Sequence, residues 1–266
     1  MLFSSLASVV GMSPNYSSRC GVSVSKITPH HTAGKIGVEN LLHIFENPER
    51  RASANYCIGY DGTIGGCVPE EFAAWTTSSQ WNDHQAITIE VSDDMNGEPW
   101  KISGAAWNSL IMLSIDICLR YDFKLTYEDE NISKSVTLHK WFAATSCPGT
   151  WMCENIERYV KEVNKGIETI EELKKGIEEF KKYEERQNEM LNRLFKAVEQ
   201  LSDRLSPKYN SVDECPDWSR SSVKWAIDNE IISGENGKLM LSYDDVREIC
   251  YLKRTYDLIR KETLPK

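Results

Sequence analysis

Histidine and cysteine side chains stand close together in two segments of the chain. His30 and His31 lie within residues 28–34, and His139 is followed by Cys147 within residues 139–149. Imidazole and thiolate are ligands that zinc prefers. Two histidines and one cysteine leave the fourth tetrahedral position to water, which is typical of a catalytic zinc site rather than a structural one. These residue types therefore favour a zinc centre that activates water for hydrolysis.

The adjacent histidines cannot both face one metal ion if they lie in a β-strand. Successive strand side chains point to opposite faces, so one of His30 and His31 is a ligand and the other is not, and alternation alone does not say which. His43, within a helical pattern, and His84, in a polar loop, have no companion ligands. We interpret both as surface or packing residues.

Two other chemistries use the same residues. Cys147 could be a nucleophile with His139 as its base, which predicts sensitivity to alkylation and indifference to chelators. The metal could instead be purely structural, but structural zinc sites normally close with four protein ligands.

Composition limits the functional classes. The 266 residues are 41% hydrophobic and 27% charged, with a formal net charge of -9. This acidic balance argues against a nucleic-acid partner, since phosphate binding needs concentrated positive charge. No apolar run approaches the roughly 18 residues of a membrane span, and the start lacks the basic region of a signal peptide. Eight irregularly spaced cysteines indicate free thiols, so we expect synthesis in a reducing cytoplasm.

Residues 4–160 are predicted to form an α/β unit that positions the candidate ligands. Helical spacing marks residues 37–47, two short strands flank the turn at 60–63, and residues 86–91 form another strand. Ser103 is a candidate N-cap for an apolar helix, and a last helix begins near Trp151. Four tryptophans could line a substrate groove or lie in the core: Trp75, Trp81, Trp100 and Trp141.

Residues 163–205 follow a heptad pattern over six repeats, interrupted at Gly166, Glu184 and Gln187. One apolar stripe on a helix of roughly 60 Å needs a partner. We predict a homo-oligomer, a dimer or a tetramer, with packing back onto the same chain as the alternative. The core positions are Val163, Ile170, Leu173, Ile177, Phe180, Leu191, Leu194, Val198, Leu201 and Leu205.

Ser206 and Pro207 are expected to stop this helix. The segment that follows, residues 215–259, carries apolar patterns typical of two short helices.

Four ordered motifs carry a family resemblance. They are His30-His31-Thr32-Ala33-Gly34, then Asn55 to Gly59 with Asp61-Gly62, then Thr88-Ile89-Glu90, and finally His139 with Ser146-Cys147-Pro148-Gly149. This series resembles the zinc-dependent N-acetylmuramoyl-L-alanine amidases of the type 2 amidase and peptidoglycan recognition protein family, over about residues 4–160. The opening residues are similar to amidase domains of bacteriophage endolysins with Gram-positive hosts.

The resemblance implies a mixed central β-sheet flanked by helices, one Zn²⁺, and cleavage of the amide between N-acetylmuramic acid and L-alanine. By the family's motifs His30, His139 and Cys147 are the zinc ligands, and His31 packs or orients. Glu90 matches the acidic residue that moves the proton. Tyr56 matches a tyrosine whose hydroxyl donates to the oxyanion, and Thr145 stands where some members carry an assisting lysine.

The segment from Pro216 to Gly234 resembles a single S-layer homology repeat, a module that binds wall polysaccharide. The Thr-Arg-Ala-Glu stretch of such repeats is replaced here, and the family normally combines three repeats. The resulting prediction has three domains: an amidase at 1–162, an oligomerisation helix at 163–206 and a wall-binding module at 207–266.

These features predict an endolysin that is located in the cytoplasm of an infected Gram-positive host before a holin releases it. It then hydrolyses the cell wall and lyses the host. The alternatives are a bacterial autolysin of the same reaction and a non-catalytic muropeptide-binding protein.

Overall fold

The computed structural model describes residues 3–205 and 208–263, and the chain divides into two compact units, Met1–Gly176 and Ile177–Lys266. The first unit contains a five-stranded mixed sheet in the order β1-β5-β4-β7-β3 and a separate antiparallel pair, β2 with β6. The strands are β1 (Val9–Val10), β2 (Tyr16–Ser18), β3 (Lys26–His31), β4 (Tyr56–Ile58), β5 (Ile64–Gly66), β6 (Phe72–Ala74) and β7 (Ala86–Val91).

This sheet, flanked by helices, confirms the predicted fold class. Strands β3 and β4 both pair with β7 in parallel, while β5 is antiparallel to β4 and parallel to β1. Strand β7 has the bounds expected from its sequence, and the strands β4 and β5 lie on either side of the predicted turn.

Helices cover both faces of the sheet. On one face, α1 (Val38–Glu46) buries its apolar residues against Cys57, Cys67 and Val68. On the other, α3 (Gly104–Tyr121) packs fully buried side chains such as Leu110 and Ile117, and each such burial is worth about 1.5–3 kcal/mol. The Ser103 hydroxyl accepts a hydrogen bond from the Ala106 amide, as predicted for an N-cap. A short helix, α2 (Gln80–Asp83), precedes β7.

The long helix α4 (Thr150–Leu205) changes character along its length. Its first turns contribute to the core of the first unit through Met152, Ile156, Tyr159, Val163 and Ile167. Val163, assigned above to an oligomer seam, therefore packs inside the first unit. From Leu173 onward the described apolar side chains on α4 are exposed: Leu173, Ile177, Phe180, Tyr183, Met190, Leu191, Leu194, Phe195, Val198 and Leu201. The domain boundary at 162/163 and the coiled coil stay predictions.

The second unit also contains α5 (Asp217–Asp228) and α6 (Tyr243–Thr263), which pack against each other. Their small core consists of Cys215, Val223, Ala226, Val246 and Ile249. The helix stop predicted at Ser206 and Pro207 lies outside the described residues. Among residues 3–205 and 208–263, no helix is both long and apolar enough to cross a membrane. All eight cysteines are free thiols.

Candidate active site

Three neighbouring strands place a row of chemically active side chains on one face of the sheet. His30 of β3 lies opposite Glu90 of β7, and Glu90 lies opposite Cys57 of β4. Residues paired in register point to the same face of a sheet. His30 and Glu90 therefore face the same side, the side covered by α1.

His139 and Cys147 reach this face from the segment between α3 and α4. His139 begins a 3₁₀ turn, His139–Trp141, and the Lys140 amide donates to the Cys147 carbonyl at 3.1 Å. Gly149 adopts a φ of +84°, and a Cβ there would lie 2.9 Å from the Cβ of Trp100. Glycine therefore allows the segment carrying Cys147 to approach closely.

His30, His139 and Cys147, the three candidate zinc ligands, form one cluster. Their ligand atoms all lie within 4.8 Å of one another, and Nδ1 of His30 is 3.3 Å from Sγ of Cys147. The imidazole rings of His30 and His139 have centroids 4.9 Å apart.

Two properties of the cluster suit a metal ion: an unpartnered histidine nitrogen and histidine side chains whose pKa values are lowered. Nε2 of His30 is buried and has no hydrogen-bond partner among the described residues, which leaves a strong acceptor or donor unused. Burial lowers the pKa of His30 well below its ordinary value, and burial also lowers the pKa of His139. Both shifts favour the neutral imidazole, the form that binds metals.

The same environment argues against Cys147 as an activated nucleophile. Burial raises the pKa of the Cys147 thiol, and the negative field of Glu90 acts in the same direction. Catalytic cysteines need a lowered thiol pKa. A bound cation would supply the missing stabilisation of the thiolate.

Glu90 lies in the cleft that the cluster lines. The cleft has a volume of about 300 Å³, and His30, Glu90, His139, Thr145 and Cys147 all contribute to its wall. Burial raises the pKa of Glu90 to about 8, the Arg50 guanidinium opposes this rise, and Asp93 reinforces it. A carboxyl group that titrates near neutral pH can both accept and release a proton.

Tyr56 does not take part in this site, so the prediction of a catalytic hydroxyl is wrong. Tyr56 pairs with Ile89, not Glu90, and therefore faces the opposite side of the sheet, where it is fully buried. Its hydroxyl accepts a hydrogen bond from the Ser4 amide at 2.6 Å and donates one to the Glu70 carboxylate. A one-residue offset in a strand decides this, because it exchanges the two faces.

Thr145 does line the cleft, on the exposed loop before Cys147. Its hydroxyl oxygen accepts a hydrogen bond from the Cys147 amide at 3.2 Å. The side chain is therefore oriented by the segment that carries one ligand, and its hydroxyl proton is free to point elsewhere.

His31, on the face opposite His30, is held by Asp93. Its Nδ1 lies 3.2 Å from Oδ2 of Asp93, and its ring meets the edge of Trp100 at a centroid distance of 5.4 Å. His31 thus packs against Trp100 and contacts Asp93, and its orienting role stays a prediction.

Several residues that line the cleft could not be identified from the sequence. Arg50, Ser53 and Thr76 line the cleft beside the ligand cluster, and no motif marked them. Arg50 closes the 3₁₀ turn Pro48–Arg50, which the Asn47 side chain caps by accepting from the Glu49 amide. Trp75, one of the four tryptophans considered, also lines the cleft and is 42% exposed.

Part of the chain is similar to known proteins. Residues 21–150 match the family model described as N-acetylmuramoyl-L-alanine amidase. Among solved structures, PlyL is 17% identical with a TM-score of 0.45 over 59% of this chain and 96% of that chain. The catalytic domain of XlyA is 15% identical, with a TM-score of 0.44, and covers 58% of this chain and 97% of that chain.

A third solved structure is N-acetylmuramoyl-L-alanine amidase LysC from Clostridium intestinale URNW, which is 18% identical with a TM-score of 0.39. The alignment covers 57% of this chain and 97% of that one. No curated protein matches the sequence.

Proposed function

We propose that the first unit, which has the type 2 amidase fold and whose residues 21–150 match the N-acetylmuramoyl-L-alanine amidase family, is a zinc-dependent peptidoglycan amidase. The observation that carries the proposal is the convergence of His30, His139 and Cys147 with Glu90 in one cleft. The bond cleaved is the amide between the lactyl group of N-acetylmuramic acid and L-alanine. We propose in addition that this hydrolysis lyses a Gram-positive host as part of a phage or prophage endolysin.

His30, His139 and Cys147 would hold the zinc ion, which when bound acts as a Lewis acid and lowers the pKa of water at the site. Glu90, as the carboxylate, takes a proton from the attacking water. It then gives that proton to the amide nitrogen as the carbon–nitrogen bond breaks. The products are a lactyl carboxylate and a free amino group on L-alanine. Thr145 can donate its hydroxyl proton toward the carbonyl oxygen as charge develops there.

The test is the release of amino groups from purified cell walls, measured together with new reducing sugar ends. We expect amino groups without reducing ends, loss of release with a strong chelator and recovery with added zinc. His30→Ala should abolish release, whereas His43→Ala should not, because His43 is an exposed residue of α1. Release that ignores both the chelator and His30→Ala would refute the proposed centre.

The exposed stripe on α4 supports a second part of the proposal, the association of this chain with other copies of itself. Leu191, Leu194, Val198 and Leu201 are each at least half exposed and recur at the spacing of a coiled coil. Replacing Leu194 and Leu201 by glutamate should convert a dimer or tetramer to a monomer in analytical ultracentrifugation. Glu184→Lys, at a polar position of the same pattern, is the control. A wild-type chain that is monomeric at high micromolar concentration would end this part of the proposal.

A further inference from the structure

The apolar face of the long helix α4 is wider than its two core positions over residues 177–201. The core residues alternate between heptad position a, as in Leu191, and position d, as in Leu194. Position g directly precedes a, and it carries uncharged residues as well. These residues are Tyr183, Met190 and Ala197. Apart from Glu184 at position a, three of the seven heptad positions are therefore uncharged in this segment.

The apolar side chains beside the core positions are exposed in the single chain. Tyr183 is 57% exposed and Met190 is 66% exposed, and Phe195, at position e directly after d, is 70% exposed. Charged residues occupy the outer face of the helix instead, as at Lys182 and Glu189 of position f. Exposed apolar side chains that widen an exposed core stripe mark an interaction surface.

A two-stranded coiled coil does not fully bury these side chains. In a parallel dimer, position g of one helix meets position e of the other helix in the next heptad, where Glu and Lys commonly form ion pairs. The corresponding pairs here are Tyr183 with Asn188 and Met190 with Phe195, and neither pair contains opposite charges. A dimer would leave the side chains of Met190 and Phe195 at the solvent-exposed rim of the interface.

A four-helix bundle buries a wider face of each helix, because each helix contacts two neighbours instead of one. A core-facing helix of this kind has apolar residues at a, d and one of e or g. Met190 and Phe195 then meet between neighbouring helices, where the thioether and the aromatic ring attract each other. This contact requires parallel helices, since antiparallel neighbours place g against g and e against e.

We propose that four copies of this chain associate through residues 177–201 as a parallel four-helix bundle, in which Met190 of each copy packs against Phe195 of a neighbouring copy. The inference rests on the self-association proposed above, and it fixes the number and the direction of the helices. Glu184 and Gln187 occupy core positions and form a polar layer within the bundle. Such a layer lowers stability but sets the register, because a shift of one heptad would bring polar side chains against apolar ones.

The first test is the mass of the full-length chain in sedimentation equilibrium at micromolar concentration, where one chain contributes 30.4 kDa. We expect particles of four chains. Particles of two chains, or of any other number above one, overturn the bundle but leave self-association intact. A monomer overturns both. Amino-group release from walls reports the amidase independently of the particle mass.

A second test changes the residues beside the core and leaves positions a and d untouched. Met190→Glu with Phe195→Lys supplies the opposite charges typical of a two-stranded coiled coil, so the particle mass should fall about twofold. The matched control is Glu189→Lys with Lys196→Glu, which exchanges two charges at exposed f positions and should keep four chains. Circular dichroism confirms that both variants keep their helices. A Met190→Glu/Phe195→Lys variant that stays at four chains, or a control that loses them, would overturn the proposal.

A third test reports the direction of the helices. Copies that carry Met190→Cys are co-expressed with copies that carry Phe195→Cys, and mild oxidation should link the two kinds of chain by a disulfide. Each variant expressed alone should link much less, and the wild-type chain gives the background from its own free cysteines. Equal linking in the mixture and in the single variants, or linking in none of them, would overturn the parallel arrangement.

Discussion

Two glutamates of the first unit, Glu70 and Glu90, occupy opposite environments. The Glu70 carboxylate is fully buried and accepts hydrogen bonds from the hydroxyls of Tyr56 and Tyr121 and from both terminal nitrogens of Arg120. Glu90 lines the cleft, and no described side chain donates a hydrogen bond to it. Burial raises the pKa of Glu90 to about 8.

The difference indicates that Glu70 stabilises the fold, whereas Glu90 is suited to transfer a proton. The lone pairs of Glu70 are occupied, so its charge is neutralised and its geometry is fixed. Glu90 is partly buried, and among the causes of its pKa shift only the Arg50 guanidinium opposes burial, so it can exchange a proton near neutral pH. Residue type alone does not distinguish the two, whereas their partners do.

The largest expected effect comes from Glu90→Gln. The amide keeps the shape of the side chain but cannot move the proton, so amino-group release from walls should fall about 10²–10⁴-fold. The control is Glu71→Gln, at an exposed acid that does not line the cleft, and it should leave the rate within about threefold. If the Glu90→Gln variant stays active, Glu90 is not the residue that transfers the proton.

Glu70→Gln should act on stability. Loss of the charge leaves Arg120 without its buried partner, and the free energy of unfolding should fall by about 2–4 kcal/mol. Urea denaturation measures this value. If Glu70→Gln unfolds at the wild-type midpoint, the network around Glu70 contributes nothing to the fold.

The same Glu90→Gln variant should have a pH-dependent effect on stability, measured by thermal unfolding in the presence of chelator. The pKa of Glu90 is about 8 in the folded chain and near 4.3 in an unfolded one, so the folded state binds more protons between these values. Wild-type stability should therefore fall as the pH rises through that interval. Glu90→Gln removes this loss and should melt higher than wild type at pH 8.5, with little difference at pH 4.5. The reverse order would show that Glu90 is stabilised as a carboxylate.

The smallest effect is expected from Tyr56→Phe. It removes one donor to Glu70 and one acceptor for the Ser4 amide, which should cost about 1–2 kcal/mol of stability. Activity at a temperature where the variant is folded should stay within about threefold of wild type, because Tyr56 faces away from the cleft. A decrease in activity of a hundredfold or more would contradict this placement and indicate that the Tyr56 hydroxyl takes part in catalysis.

The sequence by itself predicted the main helices, the strands around the turn, β7 and the three candidate ligands. Periodicity placed β7 and α3, and the two segments of histidine and cysteine were recognisable from residue type because zinc selects those donors. The family motifs supplied a role for His30 and a role for Glu90, but their pairing on adjacent strands comes from the sheet register. Heptad spacing marked α4 but did not reveal that Val163 and Ile167 belong to the core of the first unit.

Only the tertiary structure decided which side of the sheet each side chain faces and which partners it meets there. Tyr56 and Cys57 are adjacent in sequence, yet pairing with Ile89 and Glu90 sends them to opposite faces. Arg50 and Arg120 look alike in the sequence, but one lines the cleft and the other neutralises Glu70. Strand register and helix packing join residues that are distant in sequence, so the chemistry of an acid or a hydroxyl is set by neighbours that local sequence does not specify.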